Sequence, residues 1–246
     1  MHQRHLNHPA RQRQPRSDRR RNLAVVMVAS TVLLLFLGLA AVAHTAGDGT
    51  AVDHAVLGWM VHHRGRWSTT LAIAVTNAGS PVAMTLLAVL AAVLLWRRYS
   101  SVVPGLVVVA TLAAATGVST MTKAVVGAHR PPRSVQLLLE VDPTFPSGHV
   151  TGTAALVGIV AVVLGRGASS TARCVLAACV LVATVGVALT RLYLGVHWLT
   201  DVIGGSLLGG LAVLSGSVAL AALAPARVRP ALQPCESPVP PASRMA

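Results

Sequence analysis

Charge is scarce in this sequence, and acid is scarcer than base. Of 246 residues, 11% are charged, and seven are Asp or Glu. Soluble domains carry about 25% charged residues, so a water-facing surface over the whole chain is excluded. Aromatic residues make up 3%. Ala, Val, Leu and Gly fill the apolar stretches instead, and such small residues let helices pack closely. The three cysteines are Cys174, Cys179 and Cys235, too few for a disulfide framework. Cys174 and Cys179 are five apart inside an apolar run, so a helix places them on different faces and disfavours a metal pair. They are expected to be small buried residues. There is one lysine beside nineteen arginines, which fits a GC-rich bacterial genome. No internal repeat is visible.

What is abundant is apolar sequence. Runs near 20 residues recur, each long enough to cross a hydrocarbon core of roughly 30 Å. They cover about residues 24–43, 81–96, 101–122, 149–165, 174–190 and 197–224. The expected fold class is an all-α integral membrane protein with six transmembrane helices over 24–224. Residues 1–23 read as a basic disordered cytoplasmic tail and 225–246 as a proline-rich disordered one. The first run ends in Ala41-Val42-Ala43, but its long basic preface fits a signal anchor better than a cleaved peptide. Val52, Val56, Trp59 and Met60 recur at helical spacing, predicting a short interfacial helix. Ser80 as N-cap and Pro81 at the first helical position open the second span.

The formal charge of +13 raises the question of nucleic acid, and its distribution answers it. Seven arginines lie within residues 1–21, and most others flank apolar runs. That is a membrane topology signal rather than a nucleic-acid footprint. If loops alternate, one side holds the N-terminal tail, Arg97, Arg98, Arg166, Arg173 and the C-terminal tail. That side carries fourteen of the twenty Lys and Arg, against Arg64, Arg66, Lys123, Arg130, Arg133 and Arg191 on the other. The first side is therefore expected to be cytoplasmic.

Three polar segments fall on the opposite, extracytoplasmic side. The first is Lys123, six residues, then Arg130-Pro131; the second is Pro146-Ser147-Gly148-His149; the third is Arg191, five residues, His197, three residues, Asp201. Lys123, Arg130 and Arg191 supply three cations for a phosphate dianion. Ser147 and Gly148 lie where a chain enters a helix, so their N–H groups can face an anion. Asp201 can accept from Nδ1 of His197, leaving Nε2 free as a nucleophile toward phosphorus. His149, beside the phosphate loop, suits general acid work on the leaving oxygen. Two histidines and an aspartate also suit a metal, but three neighbouring cations oppose one. No metal, cofactor or obligate protein partner is expected.

These segments resemble the signature of the type 2 phosphatidic acid phosphatase family, which shares its site with vanadium haloperoxidases. Thr190 stands where that family usually has Ser. The resemblance implies a haloperoxidase-like six-helix membrane bundle, a phosphohistidine intermediate, no metal requirement and lipid phosphate substrates. Candidates are phosphatidic acid, phosphatidylglycerol phosphate and a polyprenyl diphosphate such as undecaprenyl diphosphate. Two other readings stay open: a phosphotransferase using the same intermediate, and a non-enzymatic lipid-phosphate binding or transport protein. The intact His149, His197 and Asp201 weigh against the second.

Overall fold

The computed structural model describes residues 14–223. Among these residues there are eight α-helices, one short 3-10 turn and no strand. The helices are α1 Gln14–Ala46, α2 Ala51–His62, α3 Arg66–Ala78, α4 Pro81–Tyr99, α5 Val103–Val126, α6 Gly148–Gly165, α7 Ser170–Tyr193 and α8 Leu199–Leu223. Six are long and apolar enough to cross a membrane, namely α1 from Asn22, α4, α5, α6, α7 and α8. Their bounds follow the six apolar runs closely. The first helix starts at Gln14, so residues 14–23 continue it rather than forming a separate tail. Residues 1–13 and the C-terminal tail lie outside the described residues.

The local signals for α4 act as expected. Ser80 Oγ accepts from the Ala83 N–H at 3.3 Å, and Pro81 takes the first helical position. The interfacial helix appears as α2, opened by a capping box between Thr50 and Asp53. Its apolar face is divided, however. Val56 and Met60 pack against Val150, Val187, Leu192 and Val202, while Val52 and Trp59 stay exposed. A second short helix, α3, was not anticipated. It packs on α7, and Tyr193 Oη donates to the Gly65 carbonyl at its start.

Helix α6 is the centre of the bundle. It packs against α4, α5, α7 and α8, and Val150, Ala155 and Ile159 on it are fully buried. The α6–α8 crossing is close because α8 presents glycines. A Cβ on Gly205 would stand 2.7 Å from the Ser147 carbonyl oxygen, and one on Gly209 would meet Ala154 and Thr151. Small residues let membrane helices approach this way. The outer surfaces are apolar, as hydrocarbon requires: Leu86, Leu90, Leu181 and Val182 are all exposed. Cys174 and Cys179 are exposed on α7 as well, which corrects the expectation of burial. On a lipid-facing helix an apolar thiol needs no core to shield it from water.

The seam makes a stability prediction. Gly205→Ala forces backbone apart at the α6–α8 crossing and should cost about 1–3 kcal/mol, as overpacking does. Gly210→Ala is the control, since its Cβ would meet nothing within 4 Å. Thermal unfolding in detergent should show Gly205→Ala melting several degrees lower and Gly210→Ala unchanged or higher. Equal melting temperatures would contradict the close crossing.

Candidate active site

The chain brings its three polar segments to one end of the bundle. Lys123 lies in the last turn of α5 and Arg191 in the last turn of α7. Gly148 opens α6, and Asp201 sits in the first turn of α8. One turn shapes the approach. At Gly195 φ is +70° and a Cβ would meet the Val135 carbonyl oxygen at 2.6 Å, so only glycine fits. His197 follows it, two residues before α8 begins, so its pairing with Asp201 is not a helical-face contact. Asp201 Oδ2 accepts from the Trp198 N–H at 2.7 Å, and this capping bond turns the carboxylate back toward His197.

His197 is 2% exposed and Asp201 and Thr144 are fully buried. Nδ1 of His197 lies 3.1 Å from Asp201 Oδ2 and 3.0 Å from Thr144 Oγ1. The Thr144 hydroxyl donates its hydrogen to Asp201 Oδ2 in a short bond. Its lone pairs therefore face Nδ1, and both neighbours of Nδ1 are acceptors. That network assigns the proton to Nδ1 and the lone pair to Nε2. Nε2 faces Arg130 Nη1 at 3.3 Å. Thr144 was missed in the sequence; nothing in a lone threonine three residues before Ser147 marks it.

The cations are held by carboxylates of the loop between α5 and α6. All five Arg130 N–H groups are engaged: Nε with the Asp142 carbonyl, Nη1 with the Val196 carbonyl and His197, Nη2 with Asp142 and Glu140. Arg191, 1% exposed, donates to Thr76 Oγ1 at 3.0 Å and to Glu140 Oε1. Lys123 pairs with Asp142 Oδ2 at 3.0 Å and donates to the Pro143 carbonyl. Burial works to raise the Asp142 carboxyl, but the Lys123 hydrogen bond and the Lys123 and Arg130 charges hold it below the usual carboxylate range. The signal was available: buried charge needs a partner, and only seven acids exist to supply it.

Ser147 departs from expectation. Its N–H donates to the Asp201 carbonyl at 3.0 Å and ties α6 to α8 instead of facing an anion. Its Oγ, by contrast, is buried without a hydrogen-bond partner, as is Arg191 Nε. A Cβ on Gly148 would meet nothing within 4 Å, so open space lies beside this first-turn amide. That space belongs to a cavity of about 700 Å³ lined by Lys123, Arg130, Gly148, His149, His197 and the membrane-side residues of α5. Thr190 bonds the Val187 carbonyl on its own helix at 2.7 Å, so its hydroxyl does not enter the site. A separate apolar cavity of about 610 Å³ between α5 and α8 holds no ionisable group.

Burial pushes the His197 imidazole well below its ordinary value, and the charges of Arg191, Arg130, Lys123 and His149 push it the same way. Free imidazole titrates near 6.5. Between that value and the depressed one, the unfolded chain binds a proton that the folded chain refuses. Stability therefore falls as pH drops below about 6.5. Nitrogen-15 spectra of labelled histidine should show His197 neutral at pH 6, protonated on Nδ1. An imidazolium signal from His197 at that pH would contradict the assignment.

Residues 104–223 match the model of the PAP2 superfamily. No curated protein matches the chain. Among solved structures, it is similar to the first transmembrane PAP2 type phosphatidylglycerolphosphate phosphatase from Bacillus subtilis. The two share 26% identity with a TM-score of 0.70, over 76% of this chain and 93% of that one. It is also similar in fold to Aquifex aeolicus LpxE, with 18% identity and a TM-score of 0.51, over 69% of this chain and 96% of that one. The matched segment begins in α5 and ends with α8, so it contains all three polar segments and every residue that meets His197. With the helical order and the bundle end in agreement, residues 104–223 form a region of PAP2 superfamily type.

Proposed function

We propose that this chain is an integral membrane phosphatase that cleaves lipid phosphate or diphosphate esters through a phosphoryl group carried on Nε2 of His197. The observation that supports this most is the fixed tautomer. A binding protein needs the cations, but it has no use for an imidazole whose Nδ1 is held by two acceptors and whose Nε2 faces Arg130.

In this reading a phosphate monoester exchanges with the Glu140 carboxylate between Arg130 and Arg191. It offers both guanidinium groups the same charge and acceptors. Arg191 Nε, Ser147 Oγ and the Gly148 N–H give it donors that the protein itself leaves open. Nε2 attacks phosphorus, the P–O bond to the lipid breaks, and His149 protonates the departing oxygen. Water then attacks the phosphohistidine, giving its proton to His149, and inorganic phosphate leaves. Asp201 and Thr144 hold the positive imidazolium side of His197 throughout. The three cations stabilise the charge of the five-coordinate state, about 3–4 kcal/mol for each well-placed donor. With three fixed cations in place the reaction needs no metal.

The cation count across loops supports a site on the extracytoplasmic face of the cytoplasmic membrane. Phosphatidic acid, phosphatidylglycerol phosphate and a polyprenyl diphosphate are the substrate classes to test. Purified protein should release phosphate from at least one of them in EDTA, and vanadate should inhibit. Activity that vanishes in chelator and returns with a divalent ion would overturn the mechanism.

Leaving-group chemistry separates the histidines. A lipid alkoxide needs a proton in the transition state, whereas nitrophenolate does not. In single-turnover phosphorylation, His149→Ala should lose about 10²–10⁴ on an alkyl phosphate and far less on nitrophenyl phosphate. His197→Ala should be inactive on both. Equal losses for His149→Ala on both substrates would remove it from the acid role.

A further inference from the structure

Helix α5 carries five side-chain hydroxyls in its span, and one of them behaves differently from the rest. Thr111, Thr116, Thr120 and Thr122 each donate to the carbonyl four residues back, at 2.7, 2.9, 3.0 and 2.8 Å. That is the default for a hydroxyl in a membrane helix, where water is not available. Ser119 does not. It is 3% exposed, and its Oγ has no hydrogen-bond partner among the described residues. Leaving a buried hydroxyl unpaired costs free energy, and a helical hydroxyl can share the carbonyl four residues back, as its four neighbours on α5 do.

Ser119 also lines the active-site cavity, together with Thr116, Thr120, Lys123, His149 and His197. It stands four residues before Lys123 on the same helix, hence on the same face and about 6 Å deeper toward the membrane interior. Thr116 and Thr120, its neighbours in that wall, already have their hydrogens on backbone carbonyls. Ser119 is therefore the donor in this wall that a bound molecule can claim.

We propose that Ser119 is a further substrate-binding residue, donating to an ester carbonyl of a glycerophospholipid whose phosphate sits at Lys123. The inference rests on the phosphatase reading and narrows its substrate class. In a glycerophospholipid the acyl ester carbonyls lie a few bonds inward from phosphorus, at the depth of this hydroxyl. They are acceptors without a hydrogen of their own, the complement of an unpaired O–H. A polyprenyl diphosphate presents hydrocarbon at that depth and would leave Ser119 unsatisfied. A site built to donate discriminates against analogues lacking the acceptor.

The test compares diacyl phosphatidic acid with its di-O-alkyl ether analogue, matched in chain length, in mixed micelles. The ether keeps the phosphate, glycerol and tails and removes only the carbonyls. Wild-type protein should favour the diacyl substrate in kcat/KM, mainly through KM. In Ser119→Ala that diacyl-to-dialkyl ratio should fall about fivefold, the size of one neutral hydrogen bond. A merely structural role moves both substrates together, and partial misfolding cancels in the ratio. A ratio unchanged by Ser119→Ala would overturn the assignment. Wild-type release of phosphate from the ether but from no diacyl lipid would do so too. Wild-type protein inert toward phosphatidic acid, phosphatidylglycerol phosphate and polyprenyl diphosphate alike would instead overturn the phosphatase reading, and this inference with it.

Discussion

The constraint that shapes this molecule is the placement of three cations at one end of an apolar bundle with very few acids to balance them. Lys123, Arg130 and Arg191 are largely buried, and an unpaired charge in such a place is prohibitive. Two loop carboxylates, Glu140 and Asp142, take up the charge. Ion pairs thus hold the middle of the loop between α5 and α6 onto the site, while Ala128 and Phe145 near its ends pack into the bundle. Leu139 and Val141 beside those carboxylates remain exposed. Removing one partner of a buried pair leaves the other uncompensated, which costs more than the pair contributes. On the proposed function the same logic suits the site to phosphate, an anion that can replace a carboxylate between two arginines.

The remaining structure converts that charge into directed chemistry. Asp201 stands at the start of α8, where it caps the helix through the Trp198 N–H and orients His197. Thr144 locks the arrangement by bonding both partners. The Ser147 N–H bond to the Asp201 carbonyl joins α6 to α8 beside the site, and Gly205 allows that approach. On the far side of α8, Asp53 accepts from the Thr200 N–H at 2.9 Å, so α2 is tied to the same helix start. Packing at the α6–α8 seam and tautomer control at His197 are therefore two ends of one connected set of contacts.

Much of this was legible in the sequence, and for a physical reason. Six apolar runs and their flanking cations are long signals, and a bilayer leaves backbone few alternatives to helix. Lys123, Arg130, Gly148, His149 and His197 line one cavity, with Arg191, Ser147 and Asp201 adjoining. What escaped were features set by tertiary contact. The period of α3 is that of an ordinary amphipathic segment, and only its docking on α7 distinguishes it. Thr144, Ser119 and the direction of the Ser147 N–H depend on which groups find partners after folding. The apolar run puts His197 at the start of the last span, whereas the helix begins at Leu199 and the Trp198–Asp201 capping bond does the orienting. The burial expected for Cys174 and Cys179 failed because in a bilayer the exterior is as apolar as the core.

The central claim is that Nε2 of His197 carries the phosphoryl group. Rapid acid-free quenching of the working enzyme with a lipid phosphate, followed by proteolysis and mass spectrometry at alkaline pH, tests it directly. The account predicts a phosphoryl adduct on the peptide containing His197, labile to acid and stable to base. With nitrophenyl phosphate as donor it should accumulate in His149→Ala, whose first step is largely spared while the second stalls. An adduct on His149 or on Ser147 would contradict the account, as would phosphate release from His197→Ala at the wild-type rate.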